Sequence, residues 1–119
     1  MLTTMDAATV TTTTHNSQAR RFELREGERL IGEARYTPAS SDDSARIFFH
    51  TEVDDAYSGQ GLAGQLVRAA LDETVASGRR IVPVCPYVAA YVKKHPAYAE
   101  HVDQPTREHL NVLRALGGA

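Results

Sequence analysis

A change of hydrophobic period across one short glycine-bearing loop limits the possible folds of this chain more than any other feature. From Ala45 to Val53 the residues alternate as they do in a strand. Ile47, Phe49, Thr51 and Val53 are expected on one face, with Phe48, His50 and Glu52 on the other. From Ala63 onward the apolar residues are Leu66, Val67, Ala70, Leu71 and Val75, which share one face of a helix. That helix should stop near Ser77, with Gly78 in the C′ position. Between the two lies Tyr57-Ser58-Gly59-Gln60-Gly61-Leu62-Ala63-Gly64. After the helix, Arg80 to Cys85 reads as a short buried strand through Ile81, Val82 and Val84. A strand–helix–strand crossover makes the two strands parallel. Pro83 donates no ladder hydrogen bond, so one side of the second strand must lack a partner there.

The flanks extend this unit. Phe22 and Leu24 alternate with charged residues, Gly27 interrupts, and Leu30 to Tyr36 continues through Ile31 and Ala34. The pattern predicts a hairpin turning near Glu26–Glu28, then a polar loop from Pro38 to Ser44. Downstream, Tyr87 to Lys94 fits a helix with Tyr87 and Tyr91 on one face. Lys93 and Lys94 suit its C-terminal end, His95 ends it, and Pro96 prevents continuation. Thr106 to Leu116 is a last amphipathic helix, followed by Gly117–Gly118. The order is β-β-β-α-β-α plus a C-terminal helix: an α/β (α+β) single domain with a mixed sheet and flanking helices. Residues 1–18, rich in threonine and alanine, are expected as a flexible tail, 19–102 as the domain and 103–119 as a helical extension. The terminal helix either covers the sheet or pairs with a second copy, and a monomer or weak homodimer is expected.

Composition narrows the function classes. With 119 residues, 42% of them hydrophobic, the chain can build one core but not two domains. Cys85 is the single cysteine, which excludes an intramolecular disulfide and a multi-cysteine zinc site, and no other ligand cluster suggests a metal. A net charge of −2 argues against a general grip on nucleic acid. No run approaches the roughly 20 apolar residues of a membrane helix. Residues 1–18 have neither the charge nor the apolar stretch of a targeting signal, so a cytoplasmic location is expected.

Two features carry chemistry. The loop from Ser58 to Gly64 leaves backbone N–H groups uncovered at a helix start, which suits a phosphate or pyrophosphate. It has no Lys-Ser/Thr pair, so it is not a Walker loop, and it fits a simple glycine-eased turn equally well. The second feature is the pair of strand ends, His50-Thr51-Glu52-Val53 and Pro83-Val84-Cys85-Pro86. Parallel neighbours would bring these ends together, where open α/β sheets bind ligands. Cys85 would then precede a helix N-terminus, a location that favours thiolate. His50 would lie within reach as a base for the thiol or for an incoming amine. The plain alternatives are an inert buried thiol and a polar strand face.

These residues resemble the small, truncated members of the GNAT N-acetyltransferase superfamily. The resemblance runs from His50 to Tyr98 on four pieces in order: His50-Thr51-Glu52-Val53, the glycine loop, Pro83-Val84-Cys85-Pro86-Tyr87-Val88 and His95-Pro96-Ala97-Tyr98. Gly61 and Ala63 match the superfamily's pyrophosphate loop, while Ser58 stands where that pattern has glutamine or arginine. The resemblance implies acetyl-coenzyme A as co-substrate, with the pantetheine arm entering between splayed strands. It implies cofactor contacts from Val53, Ser58, Gly59, Gln60, Gly61, Leu62, Ala63, Gly64, Tyr87 and Tyr91, and chemistry at Cys85, His50 and Glu52. Either an amine attacks the thioester directly, with His50 or Glu52 taking its proton, or Cys85 carries the acetyl group between donor and acceptor. Tyr87 and Tyr91 are candidate proton donors to the leaving thiolate, and Lys93 or Lys94 could meet a nucleotide phosphate. The acceptor is a small amine or a protein amine, and Asp54 and Asp55 beside the site would favour a cationic one. The rival readings are a non-catalytic coenzyme A-binding or interaction module and a thiol redox sensor.

Overall fold

The computed structural model describes residues 10–117. Five strands form one sheet in chain order: β1 (Thr11–Asn16), β2 (Arg21–Glu26), β3 (Arg29–Pro38), β4 (Ala45–Val53) and β5 (Arg80–Pro83). The first four pair antiparallel, and β5 pairs parallel with β4. Helix α1 (Leu62–Ala76) makes the crossover, followed by α2 (Pro86–Lys94) and α3 (Arg107–Leu116). This is the expected mixed sheet with flanking helices, with one strand more than the sequence suggested.

The extra strand is β1. Residues 1–18 were expected to be a tail, but Thr11–Asn16 pairs along its whole length with β2. Threonine is β-branched, and its stiff χ1 suits a pleated, half-exposed edge. The burial of β1 alternates at the threonines, as an edge strand requires. The remainder of the expected tail, residues 1–9, and Gly118 lie outside the described residues. His15 anchors β1: its ring stacks on Phe22 with centroids 4.2 Å apart, and its Nε2 lies 2.5 Å from the Tyr36 hydroxyl.

The hairpin turns at Gly27-Glu28, where Gly27 takes φ +60°. Helix α1 ends at Ser77 with Gly78 at φ +81°, as the sequence predicts. Thr106 caps α3, and its hydroxyl accepts from the His109 N–H in a capping box. A 3₁₀ turn over Pro96–His101, absent from the sequence reading, leads the chain back to β5, where Val102 bridges Ile81.

The core has two parts, one on each face of the sheet. Phe22, Leu24, Tyr36, Phe48 and Ile81 pack against Leu66, Val67 and Leu71 of α1 and Val88 of α2. On the other face Ala45, Ile47 and Val82 meet Val112 and Leu113 of α3. Thus α3 covers the sheet, as one of its two expected roles had it, although Leu110 and Leu116 stay about half exposed.

One expectation about β4 is overturned. The register slips between Arg35 and Tyr36: Arg35 faces His50, but Tyr36 faces Phe48, so Phe49 is the extra residue of a bulge. A bulge resets the alternation. Before it, Arg46 and Phe48 point toward α1, and Ile47 points toward α3. After it, Thr51 and Val53 take the α1 face. His50 and Glu52 therefore share the face of Ile47, not that of Phe48.

Candidate functional site

Strands β4 and β5 pair only from Ala45↔Arg80 to Phe48↔Pro83. Beyond that point the Val84 and Cys85 N–H groups both donate to the Phe48 carbonyl, at 3.1 and 2.8 Å. Beyond the bulge, residues 50–53 of β4 pair, among the described residues, with β3 alone. Pro83 sits where the ladder ends, consistent with its missing donor. The parallel strands thus diverge at their C-terminal ends.

The glycine loop lies at the open end. Asp54 starts a 3₁₀ turn over Asp55–Tyr57 by accepting from the Ala56 N–H at 3.0 Å. The Tyr57 hydroxyl donates to Glu26, which ties the loop to the hairpin and pushes the phenol pKa up. Gly59 and Gly61 take φ +80° and +72°, conformations that other residues rarely adopt. Gly61 is the N-cap of α1, and among the described residues no side chain caps that end. The first-turn N–H groups at Leu62, Ala63 and Gly64 therefore have no side-chain acceptor. Leu62 itself points into the core, so it can offer a ligand only its backbone. Ser58, Gly59, Gln60 and Gly61 are exposed, and Val53 packs against the core. Tyr87 and Tyr91 of α2 close on Gly64: a Cβ there would lie 3.5 Å from the Tyr87 hydroxyl and 4.0 Å from the Tyr91 ring. Burial holds the Tyr91 hydroxyl above its ordinary pKa, so it gives up its proton less readily.

Cys85 is the N-cap of α2 and is buried, 6% exposed. Its thiol donates to the Thr51 hydroxyl at 3.5 Å. His50, the next residue on β4, projects from the opposite face. The fold sets the histidine and the cysteine on two sides of the diverging strands and does not bring them into contact. The bulge at Phe49 is the reason, and nothing in the residue pattern announces it. Thr51, the residue that meets the thiol, was missed by sequence reasoning for the same reason.

His50 is instead paired with Glu52, Nε2 to Oε1 at 3.0 Å. A carboxylate only accepts, so in a neutral imidazole Nε2 carries the hydrogen and Nδ1 keeps the lone pair. Glu33, absent from the sequence candidates, joins them from β3: one ligating atom from each of Glu33, His50 and Glu52 lies within 4.8 Å of the others. The sequence showed no such cluster because Glu33 reaches it only through the strand register. The Arg21 guanidinium already holds Glu33 at 3.1 Å.

The register extends this pattern across four strands. Asn16, Arg21, Arg35 and His50 form one cross-strand row, and Thr14, Glu23, Glu33 and Glu52 form the next. Glu23, at the centre, is buried. Burial alone would raise its pKa, but hydrogen bonds from Asn16, Arg21 and Arg25 prevail and hold it at about 2. A cavity of about 560 Å³ opens at the His50 end of the rows, lined by Arg21, Glu33, Glu52, Val53, Asp54 and Asp55 among others.

His95 ends α2 as expected. Its Nδ1–H donates to the Tyr91 carbonyl at 2.8 Å, and its ring stacks on Tyr91. Lys93 and Lys94 are exposed in the last turn of α2. Among the described residues, no helix is long and apolar enough to cross a membrane.

Comparison with known proteins agrees with this geometry. Protein NATD1 of Gallus gallus is 46% identical over 55 residues, 44% of this chain and 50% of that protein. Protein NATD1 of Homo sapiens is 47% identical over 47 residues, 40% of this chain and 42% of that protein. The chain spans about half the length of the curated relatives it matches. Residues 21–102, from the first strand of the hairpin to the bridge beside β5, match the model of the GCN5-related N-acetyl-transferase family. With the diverging strands, the uncapped helix start and most of the chain inside that match, the protein belongs to the GCN5-related N-acetyl-transferase family.

Proposed function

We propose that the chain transfers an acetyl group from acetyl-coenzyme A to a cationic amine, which is bound on the charged face of the sheet. The observation that carries this is the separation of two chemistries by one pair of diverging strands. The uncapped start of α1 lies on one side and the His50–Glu52 pair on the other. The N–H groups from Gly59 to Gly64 suit the coenzyme's diphosphate, and the gap beside residues 49–53 of β4 suits its extended arm. The bound coenzyme supplies the activated acetyl group.

The residues of this chain then have defined tasks. Glu52 fixes the His50 tautomer, and Nδ1 takes a proton from the attacking amine. Freed of that proton, the amine nitrogen forms the amide bond as the carbon–sulfur bond breaks, and its second proton passes to the departing thiolate, which leaves as the thiol. Asp54 and Asp55 at the cavity favour a cationic acceptor. The contact of Cys85 with Thr51, rather than with a base, favours direct attack over a relay through the cysteine.

Incubation with acetyl-coenzyme A and a panel of mono-, di- and polyamines tests the reading. His50→Gln should lower turnover by about 100-fold or more, the range of a lost general base. Cys85→Ala should cost less than tenfold, with no acetyl group on the wild-type protein by intact mass. An acetyl adduct that vanishes in Cys85→Ala would establish the relay instead. Coenzyme binding without transfer to any amine would favour a binding module. Absence of coenzyme binding by calorimetry, with a reactive thiol, would favour a redox sensor. Asp54→Asn with Asp55→Asn should weaken the salt dependence of turnover, and an unchanged dependence removes the argument for a cationic acceptor.

A further inference from the structure

The glycine loop leaves an electrostatic deficit. Between Asp54 and Gly64 the chain has two aspartates and no lysine or arginine. Coenzyme A carries a diphosphate and a separate 3′-phosphate on its ribose. The helix start offers partial charge and N–H groups for the first, but the second is a phosphomonoester, which calls for a full cation.

A groove of about 450 Å³ runs from the loop along α1, between β1 and α2. Gly64, Arg68 and Asp72 line it one turn apart, with Thr13 and Tyr91 on its walls. Gly64 opens its near end. Arg68 lies four residues on, about 6 Å along the helix axis. Among the described residues lining the groove, Arg68 is the one cation. Its side chain is 74% exposed, and its partner Asp72 is 3.8 Å away. Asp72 takes the Tyr98 hydroxyl on its other oxygen at 2.5 Å, and the Arg68–Asp72 pair itself is long and exposed on both sides. Arg68 is therefore free to turn toward an anion in the groove at little cost.

Lys93 and Lys94 compete poorly for that role. Helix α2 runs beside α1 with Tyr87 and Tyr91 at Gly64. Tyr98, just past the lysines, meets Asp72, two turns further down α1. Neither lysine lines the groove.

Resting on the coenzyme reading above, we infer that Arg68 is the specificity residue for the coenzyme's 3′-phosphate, which seats in the groove between α1, β1 and α2. Calorimetry with coenzyme A and with 3′-dephospho-coenzyme A tests this. The wild type should prefer coenzyme A by about tenfold at low salt, with the preference shrinking as salt rises. Arg68→Gln should bring coenzyme A down to the dephospho affinity and leave the dephospho ligand unchanged. Arg68→Lys should keep part of the preference, and Lys93→Gln with Lys94→Gln should keep all of it. Equal binding of the two ligands by the wild type overturns the inference. So does a preference that survives Arg68→Gln or disappears with the lysines. In these cases the coenzyme still binds, so the coenzyme reading stands. Binding of neither ligand by the wild type overturns both.

Discussion

His15 shows how one side chain can make an edge strand depend on pH. Its Nδ1 lies 3.8 Å from Glu73, so the hydrogen belongs there, and Nε2 accepts from the Tyr36 hydroxyl at 2.5 Å. Glu73 also holds the buried Arg46 guanidinium, which lies over the Tyr36 ring. Protonation of His15 would set two cations against one carboxylate in a half-buried site. Burial, and then Arg46, lower the His15 pKa from its ordinary 6.5. The unfolded chain takes up that proton first, so this contribution is complete above about pH 6.5 and falls as pH drops to the folded value. Glu23 adds a second acid window. Its folded pKa of about 2 means stability present above the ordinary value of 4.5 and lost as pH falls from there toward about 2. Urea unfolding from pH 4 to 8 should show a His15→Phe variant, which keeps the ring stack, losing the slope just below pH 6.5 but not the one near pH 4. A slope just below pH 6.5 that persists in His15→Phe would place its origin in another group.

At the scale of elements, legibility followed periodicity. Helix α1 and its stop at Ser77–Gly78 could be read from spacing because the helix buries one continuous stripe. The hairpin could be read from Gly27. Strand β1 was hidden because its threonines have the composition of a tail; only the neighbouring β2 makes them a ladder. The bulge at Phe49 was hidden more deeply, because it belongs to the pairing of two strands rather than to either sequence. It decides the site, since it separates His50 from Cys85. Gly32 helps fix the same region. A Cβ at Gly32 would lie 3.0 Å from the Glu52 carbonyl oxygen and 3.1 Å from Val53 Cγ2. Gly32→Ala should therefore cost about 1–3 kcal/mol in urea unfolding, the range for overpacking, and lower turnover by moving Glu52. Unchanged stability and turnover would mean that β4 yields freely there, and that the position of Glu52 is not set by close strand packing.

Taken as a whole molecule, the protein is a sheet with two unlike faces. Two helices cover one face and bring an uncapped helix start to its edge. The other has α3 over Ala45, Ile47 and Val82, and beyond that two rows of charge ending at His50 and Glu52. On the proposed reading, the acceptor binds at the charged rows on this second face. If donor and acceptor approach from opposite faces, neither blocks the other, and both can be bound before chemistry begins. Initial rates with acetyl-coenzyme A varied at several fixed amine concentrations should then give intersecting double-reciprocal lines. A relay through Cys85 would release coenzyme A before the amine reacts and give parallel lines. The buried thiol, bonded to Thr51 and turned away from His50, argues for intersection. Parallel lines would require Cys85 to leave its Thr51 contact during turnover, and the acetyl adduct would then be visible by mass.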